Sequence, residues 1–458
     1  MDPQYGGYGI EGGWRMNSEP ALPRVMGGFD ATTLGIGSMI GAGVFVVFAP
    51  AAASAGSWLP LAVALAGFIA YCNAAASAAL ASVYPHSGGS YVYGRRQLGP
   101  WAGFMAGWSF VTGKLASCAA MALTFGSYAA PGYAKPAAVA AVLALTGVNL
   151  MGVTRTALAT RIVVSLVVPV LAFVLVVAFA GPAAPADAAG AQAGAAEIQP
   201  WGVMQAGALL FFAFAGFARI ATMGGEVRRP ERNIPAAIMG ALGFTVALYM
   251  LLAVALLWSL GPTALAASPA PLRDVVVAGS STLEGLSAGG SRAGGSTADG
   301  AAIPLAALTI AAILASLGAL LALIAGVSRT MLAMASEGDL PRPLVALWSR
   351  TGVPWVAEVS TGVVVIVLLL TTDVLTVVGF SSFGVLLYYA VANAAAFTLP
   401  VHPWYAPRAL NAIGAVGCVV LAATLPVISV ATMLGILAVG VLARAILRRR
   451  GRSATPSG

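Results

Sequence analysis

Long apolar runs, separated by short segments rich in polar residues, glycine or proline, occupy most of this 458-residue chain. Each run approaches or exceeds the roughly 20 residues that a helix needs to cross a hydrocarbon core about 30 Å thick. The pattern predicts an all-α polytopic membrane protein with twelve transmembrane helices. The predicted spans are 27–50, 58–83, 100–128, 136–153, 157–181, 202–223, 235–260, 303–334, 355–372, 374–398, 408–426 and 428–446.

The same pattern divides the chain into regions. We expect a disordered cytoplasmic N-terminus at 1–26, a ten-span core at 27–400, two further spans within 401–447 and a basic cytoplasmic tail at 448–458. The stretch 261–302 is rich in serine, glycine and threonine, and we expect it to be a mobile loop between spans 7 and 8.

Composition and charge support the membrane class and predict its orientation. The chain is 59% hydrophobic and only 8% charged, and its net charge of +8 lies in short segments between spans, where it does not indicate nucleic-acid binding. With the N-terminus inside, only Lys135, Arg273 and Arg292 of the 23 basic residues fall outside, while Lys114 and Arg219 lie within spans. Both termini are therefore predicted to be cytoplasmic.

Residues that could hold a metal or perform catalysis are few. Cys72, Cys118 and Cys418 fall inside predicted spans without paired spacing, and His86 and His402 lie in or beside interfacial segments. They support neither a disulfide framework nor a zinc site, so we expect no metal and no cofactor. The spans contain no cluster of acids and histidines that would indicate an enzyme, and no charged ring that would indicate a channel.

Span 1 contains an unusual cluster of glycines, Gly35, Gly37, Gly41 and Gly43, within its apolar run. Each glycine costs about 0.5–1 kcal/mol relative to alanine inside a helix, so the cluster indicates backbone that unwinds or is closely approached. Unwound backbone inside a membrane must line a cavity or be buried in protein. The alternative is a small-residue face at which two helices pack.

A second run of this kind lies in span 6, where 211–219 sets small residues and a glycine among aromatic ones. If spans 1–10 are two five-helix repeats, spans 1 and 6 are equivalent and enter the membrane from opposite sides. Interrupted helices at equivalent positions of inverted repeats indicate a transporter's binding site. Their free N–H and C=O groups could bind a zwitterionic amino acid. The aromatic residues could instead serve only in packing.

Four motifs make the chain similar to a known family, the amino acid, polyamine and organocation superfamily of secondary transporters, which has a LeuT-type inverted repeat. The motifs are IGAGVF at 40–45, YP, SGG, YVY, LGP and GW between 84 and 108, FAGF at 214–217 with EVRRPERNIP at 226–235, and SR, AMA and GDLP between 328 and 341. The resemblance covers about 27–400 and implies a 5+5 inverted repeat, with helices 1 and 6 broken, followed by two C-terminal helices.

The resemblance also implies the substrate-binding residues. These are Met39, Ile40, Gly41, Ala42, Gly43, Phe212, Ala215 and Gly216. By this likeness, Ala42 and Gly43 would donate backbone N–H groups to the substrate carboxylate. The carbonyls of Met39, Phe212 and Ala215 would accept from its amine, and Phe212 would also be the aromatic gate.

Two charged residues are predicted within the membrane. Lys114 lies near the middle of span 3, where an ammonium is costly, so it is a candidate for proton coupling or for a fixed structural pair. Arg219 in span 6 does not lose its proton and is expected to have a structural or a substrate-facing role.

Two departures from the family pattern limit what the resemblance implies. Span 5 has no lysine at 165–167, where some relatives have one, which leaves the usual proton coupling in doubt. Ala218 stands where others have an acid, which disfavours a polyamine.

The sequence thus predicts a secondary active amino acid transporter of the cytoplasmic membrane, driven by protons or by exchange and surrounded by lipid. The alternatives are an antiporter of polyamines or other organic amines, and a nontransporting amino acid receptor.

Overall fold

The architecture was obtained as a computed structural model, which describes residues 26–41, 43–84, 89–152, 156–181, 183–184, 199–217, 220, 227–287 and 297–453. The regular secondary structure in these ranges consists of helices, and one isolated β-bridge joins Met26 to Val227. The helices of the first part are α1 (Gly28–Met39), α2 (Gly43–Val46), α3 (Phe48–Ala55), α4 (Leu59–Val83), α5 (Gly89–Gln97), α6 (Pro100–Ala129), α7 (Ala134–Leu150) and α8 (Thr156–Ala180). The helices of the second part are α9 (Pro200–Phe214), α10 (Pro230–Ala267), α11 (Pro271–Ser287), α12 (Thr297–Ser336), α13 (Trp355–Thr371), α14 (Val374–Phe397), α15 (Arg408–Thr424) and α16 (Val427–Ser453).

Helix ends follow local sequence signals. Pro100, Pro200 and Pro230 each occupy the first position of a helix, where the missing N–H is not needed and the fixed φ suits the helix. Asp373 caps α14 by accepting a hydrogen bond of 2.8 Å from the Thr376 amide. Within α10 the backbone leaves the helical conformation at Gly261, with φ 72°.

Helix α6 lies at the centre of the molecule, packed against α12 and α14. Small residues allow this packing, since a Cβ added at Gly113 would lie 3.1 Å from the Gly384 Cα. The outer helices instead expose large apolar side chains, such as Leu143 on α7 and Val176 on α8. A buried small-residue centre with an apolar exterior is the arrangement expected of a multi-pass membrane protein.

Nine helical segments of the described chain are long and apolar enough to cross a membrane. Two shorter apolar helices, Trp355–Thr371 and Arg408–Thr424, have 17 residues each. The predicted polytopic all-α class is therefore confirmed, whereas the count of twelve spans stays a prediction.

The prediction of a mobile loop at 261–302 is wrong over much of that range. Helix α10 continues to Ala267, and α11 then forms from Pro271 to Ser287. Leu272, Val275 and Val276 share one face of α11 and are almost fully buried. This apolar face packs on α8 and α12, which outweighs the weak helix propensity of the surrounding polar residues.

Candidate functional site

Helix α1 ends within the glycine cluster. The Ile40 amide still donates to the Ile36 carbonyl at 2.8 Å, but Ile40 and Gly41 are no longer helical, and α2 begins only at Gly43. Ala42 lies outside the described residues. The regular α1 helix therefore ends with this bond, and the carbonyl groups of its last turn are left without partners from the helix itself.

The end of α9 lies against this interruption. After Phe214 the chain tightens into a 3-10 turn at Ala215–Phe217, beyond which Ala218 and Arg219 lie outside the described residues. A Cβ on Gly216 would collide with the Ser38 carbonyl of α1. The structure thus brings the predicted residues of α1 and α9 together, and only glycine permits this contact.

The same two segments also approach each other closely at Gly43. A Cβ on Gly43 would lie 2.8 Å from the Ala213 Cα and 3.6 Å from the Phe212 ring. Ile40, Gly41 and Gly43 are buried, and Phe212 is 6% exposed. The eight predicted residues, apart from Ala42, therefore form one enclosed region, at whose border Gly216 is partly buried.

The last carbonyl of α1 already has a partner in the protein. The Tyr249 hydroxyl of α10 donates to the Met39 carbonyl at 2.7 Å, and both residues are almost fully buried. A carbonyl oxygen has two lone pairs, so one remains for a ligand amine. Sequence reasoning missed Tyr249, although a phenol in the middle of a long apolar helix is a signal of such a bond.

Lys114 also reaches the predicted site. Its Nζ lies 3.5 Å from the Ala215 carbonyl, at the C-terminal end of α9, and the residue is 6% exposed. A helix C-terminus carries partial negative charge, which favours an ammonium there. The lysine predicted as a coupling candidate and a carbonyl predicted to bind the substrate amine are thus neighbours.

Three other phenylalanines at the end of α9 and in the turn after it pack within the protein. The Phe214 ring lies 5.0 Å from the Tyr249 ring, and the Phe217 ring stacks at 5.0 Å on Tyr389. Phe211 contacts the same Tyr389 ring edge-on at 5.8 Å. The sequence left open whether these phenylalanines serve only in packing, and the ring contacts show that all three pack against tyrosines of the protein.

Just after α12, the buried carboxylate of Asp339 links three segments, which are α5, α16 and the chain that follows α12. Asp339 accepts from Arg444 Nε at 2.8 Å, from Tyr91 Oη at 3.0 Å and from Arg95 at 3.2 Å. Burial, and secondly the Asp339 charge, raise the pKa of Tyr91, so its hydroxyl stays protonated and can donate. Arg444 was counted only as part of the basic C-terminal end, yet its side chain is fully buried.

An ion pair also connects the start of α1 to α8. Asp30 pairs with Arg161 of α8 at 2.5 Å, and the Arg228 amide donates to the Met26 carbonyl at 2.9 Å. These contacts hold the α1 N-terminus against neighbouring segments on the side predicted to be cytoplasmic.

Glu358, a buried acid in α13, is a further residue that sequence reasoning did not single out. Its Oε1 accepts from the Ser328 hydroxyl at 2.9 Å, and the residue is 2% exposed. A carboxylate one turn into an apolar span was the signal available. Among the described residues, no group of three or more acids, histidines or cysteines could hold a metal ion.

The apolar helices define the class of a multi-pass membrane protein. A family profile described as amino acid permease matches residues 26–441. The chain belongs to this amino acid permease family, which confirms the resemblance seen in its motifs and the prediction of a transporter rather than an enzyme.

Three relatives illustrate the range of similarity. A protein named as an uncharacterized transporter in Mycobacterium tuberculosis is 50% identical over 441 residues, covering 95% of this chain and 94% of the relative. The branched-chain amino acid permease BcaP of Bacillus subtilis is 26% identical over 74% of this chain and 73% of its own length. The chloroplastic cationic amino acid transporter 6 of Arabidopsis thaliana is 26% identical over 85% of this chain and 69% of its own length.

Proposed function

We propose that this permease is a secondary active transporter that moves an amino acid across the cytoplasmic membrane by alternating access. The observation that carries the proposal is the contact between the two glycine-containing interruptions. Gly216 lies against Ser38 and Met39, and Gly43 lies against Ala213, in an enclosed part of the molecule. Interrupted helices that meet at a common point are the usual construction of a transporter's substrate site.

The helix lengths support twelve crossings. Nine long apolar segments and two 17-residue helices account for eleven crossings. Helix α6, whose 30 residues include Lys114 and many small residues, is the twelfth. In this arrangement 27–400 holds two inverted five-helix repeats, with the interruption of α1 and the end of α9 at equivalent positions. Spans 11 and 12 then follow within 401–447.

The backbone supplies the chemistry for the zwitterionic head group. Amides of Ala42 and Gly43 bind the carboxylate, and carbonyls of Met39, Phe212 and Ala215 bind the amine. The C-terminal end of α9 favours the amine because the aligned peptide dipoles leave negative charge there. Phe212, which lies close to Gly43, is the aromatic gate.

Orientation and coupling complete the proposal. The basic residues between spans support a cytoplasmic position for both termini. Lys114 couples proton binding to substrate binding, because its ammonium and the substrate amine approach the same Ala215 carbonyl. The cation at Lys114 also disfavours the polyamine alternative. Arg219 retains its predicted structural or substrate-facing role.

Transport by the purified protein in proteoliposomes tests the proposal. A panel of labelled amino acids is offered with and without an inside-alkaline pH gradient, and with unlabelled amino acid inside for exchange. Accumulation or exchange of at least one amino acid above the level of empty liposomes is expected. Binding without either process would support the receptor alternative, and the absence of binding and transport would refute the proposal.

A further inference from the structure

The ammonium of Lys114 has little within the described protein to balance its charge. The Ala215 carbonyl, at 3.5 Å, is the acceptor recorded for Nζ. The ion pairs found among the described residues lie elsewhere, at Asp30, Glu337 and Asp339. Since intramembrane charges are stabilised mainly by pairing, we expect an anionic group to pair with the Lys114 ammonium.

The groups around Lys114 do not supply this partner. On α6 itself, the Ser117 hydroxyl is bonded to the Ser381 hydroxyl of α14 at 2.6 Å, and neither group carries a charge. The Cys118 thiol lies one turn further along α6, within electrostatic reach of both Lys114 and Glu358. Glu358 is beyond ion-pair distance from Lys114, and its Oε1 is bonded to Ser328.

The lysine is nevertheless placed where a ligand is expected. Its ammonium lies at the end of α9, beside the carbonyl assigned above to the substrate amine. A neutral amino acid would bring a second ammonium together with a single carboxylate, which leaves one positive charge uncompensated. A cationic amino acid would add a third positive charge to the same enclosed region.

We infer that the transported amino acid carries an acidic side chain, whose carboxylate pairs with the Lys114 ammonium. This inference rests on the proposed amino acid transport and names the substrate class for that same site. The α-carboxylate binds the amides of the α1 interruption, the α-amine binds carbonyls, and the second carboxylate lies between the amine and Lys114. The Lys114 ammonium, the α-amine and the two carboxylates then each have an opposite charge as a neighbour, as buried charges require.

Isosteric pairs of amino acids test the inference most sharply, because glutamate and glutamine, or aspartate and asparagine, differ mainly in charge. Binding of these four, and of leucine and lysine, is measured by titration calorimetry with purified protein in lipid nanodiscs. The wild-type protein is expected to bind at least one acid about tenfold or more tightly than its amide, which is the scale of one good charge-assisted contact. Lys114→Met is expected to abolish the preference, and Lys114→Arg to retain most of it.

Control variants separate specificity from folding. Lys135 is the other lysine in the chain. It lies exposed at the start of α7 and donates to the Leu370 carbonyl near the end of α13. Lys135→Met should keep the wild-type preference. If Lys114→Met does not give a monodisperse protein, Lys114→Gln is used, and the wild-type acid-to-amide ratio alone still decides the question.

The outcomes are distinguishable from a failure of the proposed function. Binding of neutral or cationic amino acids with no preference for the acids would overturn the inference and leave amino acid transport intact. A preference that survives in Lys114→Met would overturn the role of Lys114. If no amino acid in the panel binds or is transported, both this inference and the proposed function fail.

Discussion

Replacing Gly216 by alanine tests whether the contact between the two interruptions builds the site. The new Cβ would lie 2.6 Å from the Met39 amide nitrogen, whereas an ordinary contact is 3.4–4 Å, and it would overlap the Ser38 carbonyl. The end of α1 must therefore move by about 1 Å, and overpacking of this kind costs about 1–3 kcal/mol in a packed interior. The same movement shifts the Met39 carbonyl and its neighbours out of hydrogen-bond geometry for the substrate.

Unfolding and binding measure the two effects separately. We expect Gly216→Ala to lower the free energy of unfolding by about 1–3 kcal/mol, measured by dodecyl sulfate titration in mixed micelles. Amino acid binding should weaken about tenfold or more, which corresponds to about 1.4 kcal/mol. Gly243→Ala on α10 is the matched control, because nothing lies within 4 Å of its added Cβ. It should be neutral or stabilising by up to about 1 kcal/mol. Wild-type stability and binding in Gly216→Ala would refute the reasoning.

Four further substitutions are checked by the same unfolding titration. Asp30→Asn should change the free energy of unfolding by less than about 1 kcal/mol, since its ion pair with Arg161 is open to solvent; a loss above about 3 kcal/mol would contradict this. Arg444→Met should cost about 3–5 kcal/mol because it leaves a buried carboxylate poorly compensated, and Arg95→Met, at a partly exposed position, should cost clearly less; equal losses would be inconsistent with the role of burial. Tyr249→Phe removes the hydroxyl that bonds the last carbonyl of α1 and should cost about 1–3 kcal/mol, so an unchanged stability would show that this bond contributes nothing.

The sequence predicted those features that depend on local composition. Apolar runs located most helices within a few residues, and the glycine cluster coincides with the end of α1 at Met39 and the start of α2 at Gly43. The stretch 271–287 was misjudged because its serines, threonine and glycines concealed a buried face around Val275. One narrow apolar face on an otherwise polar segment gives a weak signal in a chain with so many stronger ones.

The contacts at the site could not be read from local pattern. Tyr249 meets Met39 across 210 residues, and Lys114 meets Ala215 across 101. Such pairs depend on how far each helix is rotated and shifted against its neighbours, which tertiary packing decides. Sequence reasoning could mark Lys114 as an unusual charge, but its position at the end of α9 required the three-dimensional arrangement.

The most direct test of the account is to measure whether the site can be reached from each side of the membrane. A single cysteine replaces Ala215 after Cys72, Cys118 and Cys418 have been changed to alanine, and a membrane-impermeant thiol reagent is applied to vesicles of either orientation. Alternating access predicts labelling from each side in turn, with slower labelling in both orientations when the transported amino acid is present. Labelling from one side only, or labelling that no amino acid affects, would contradict the account.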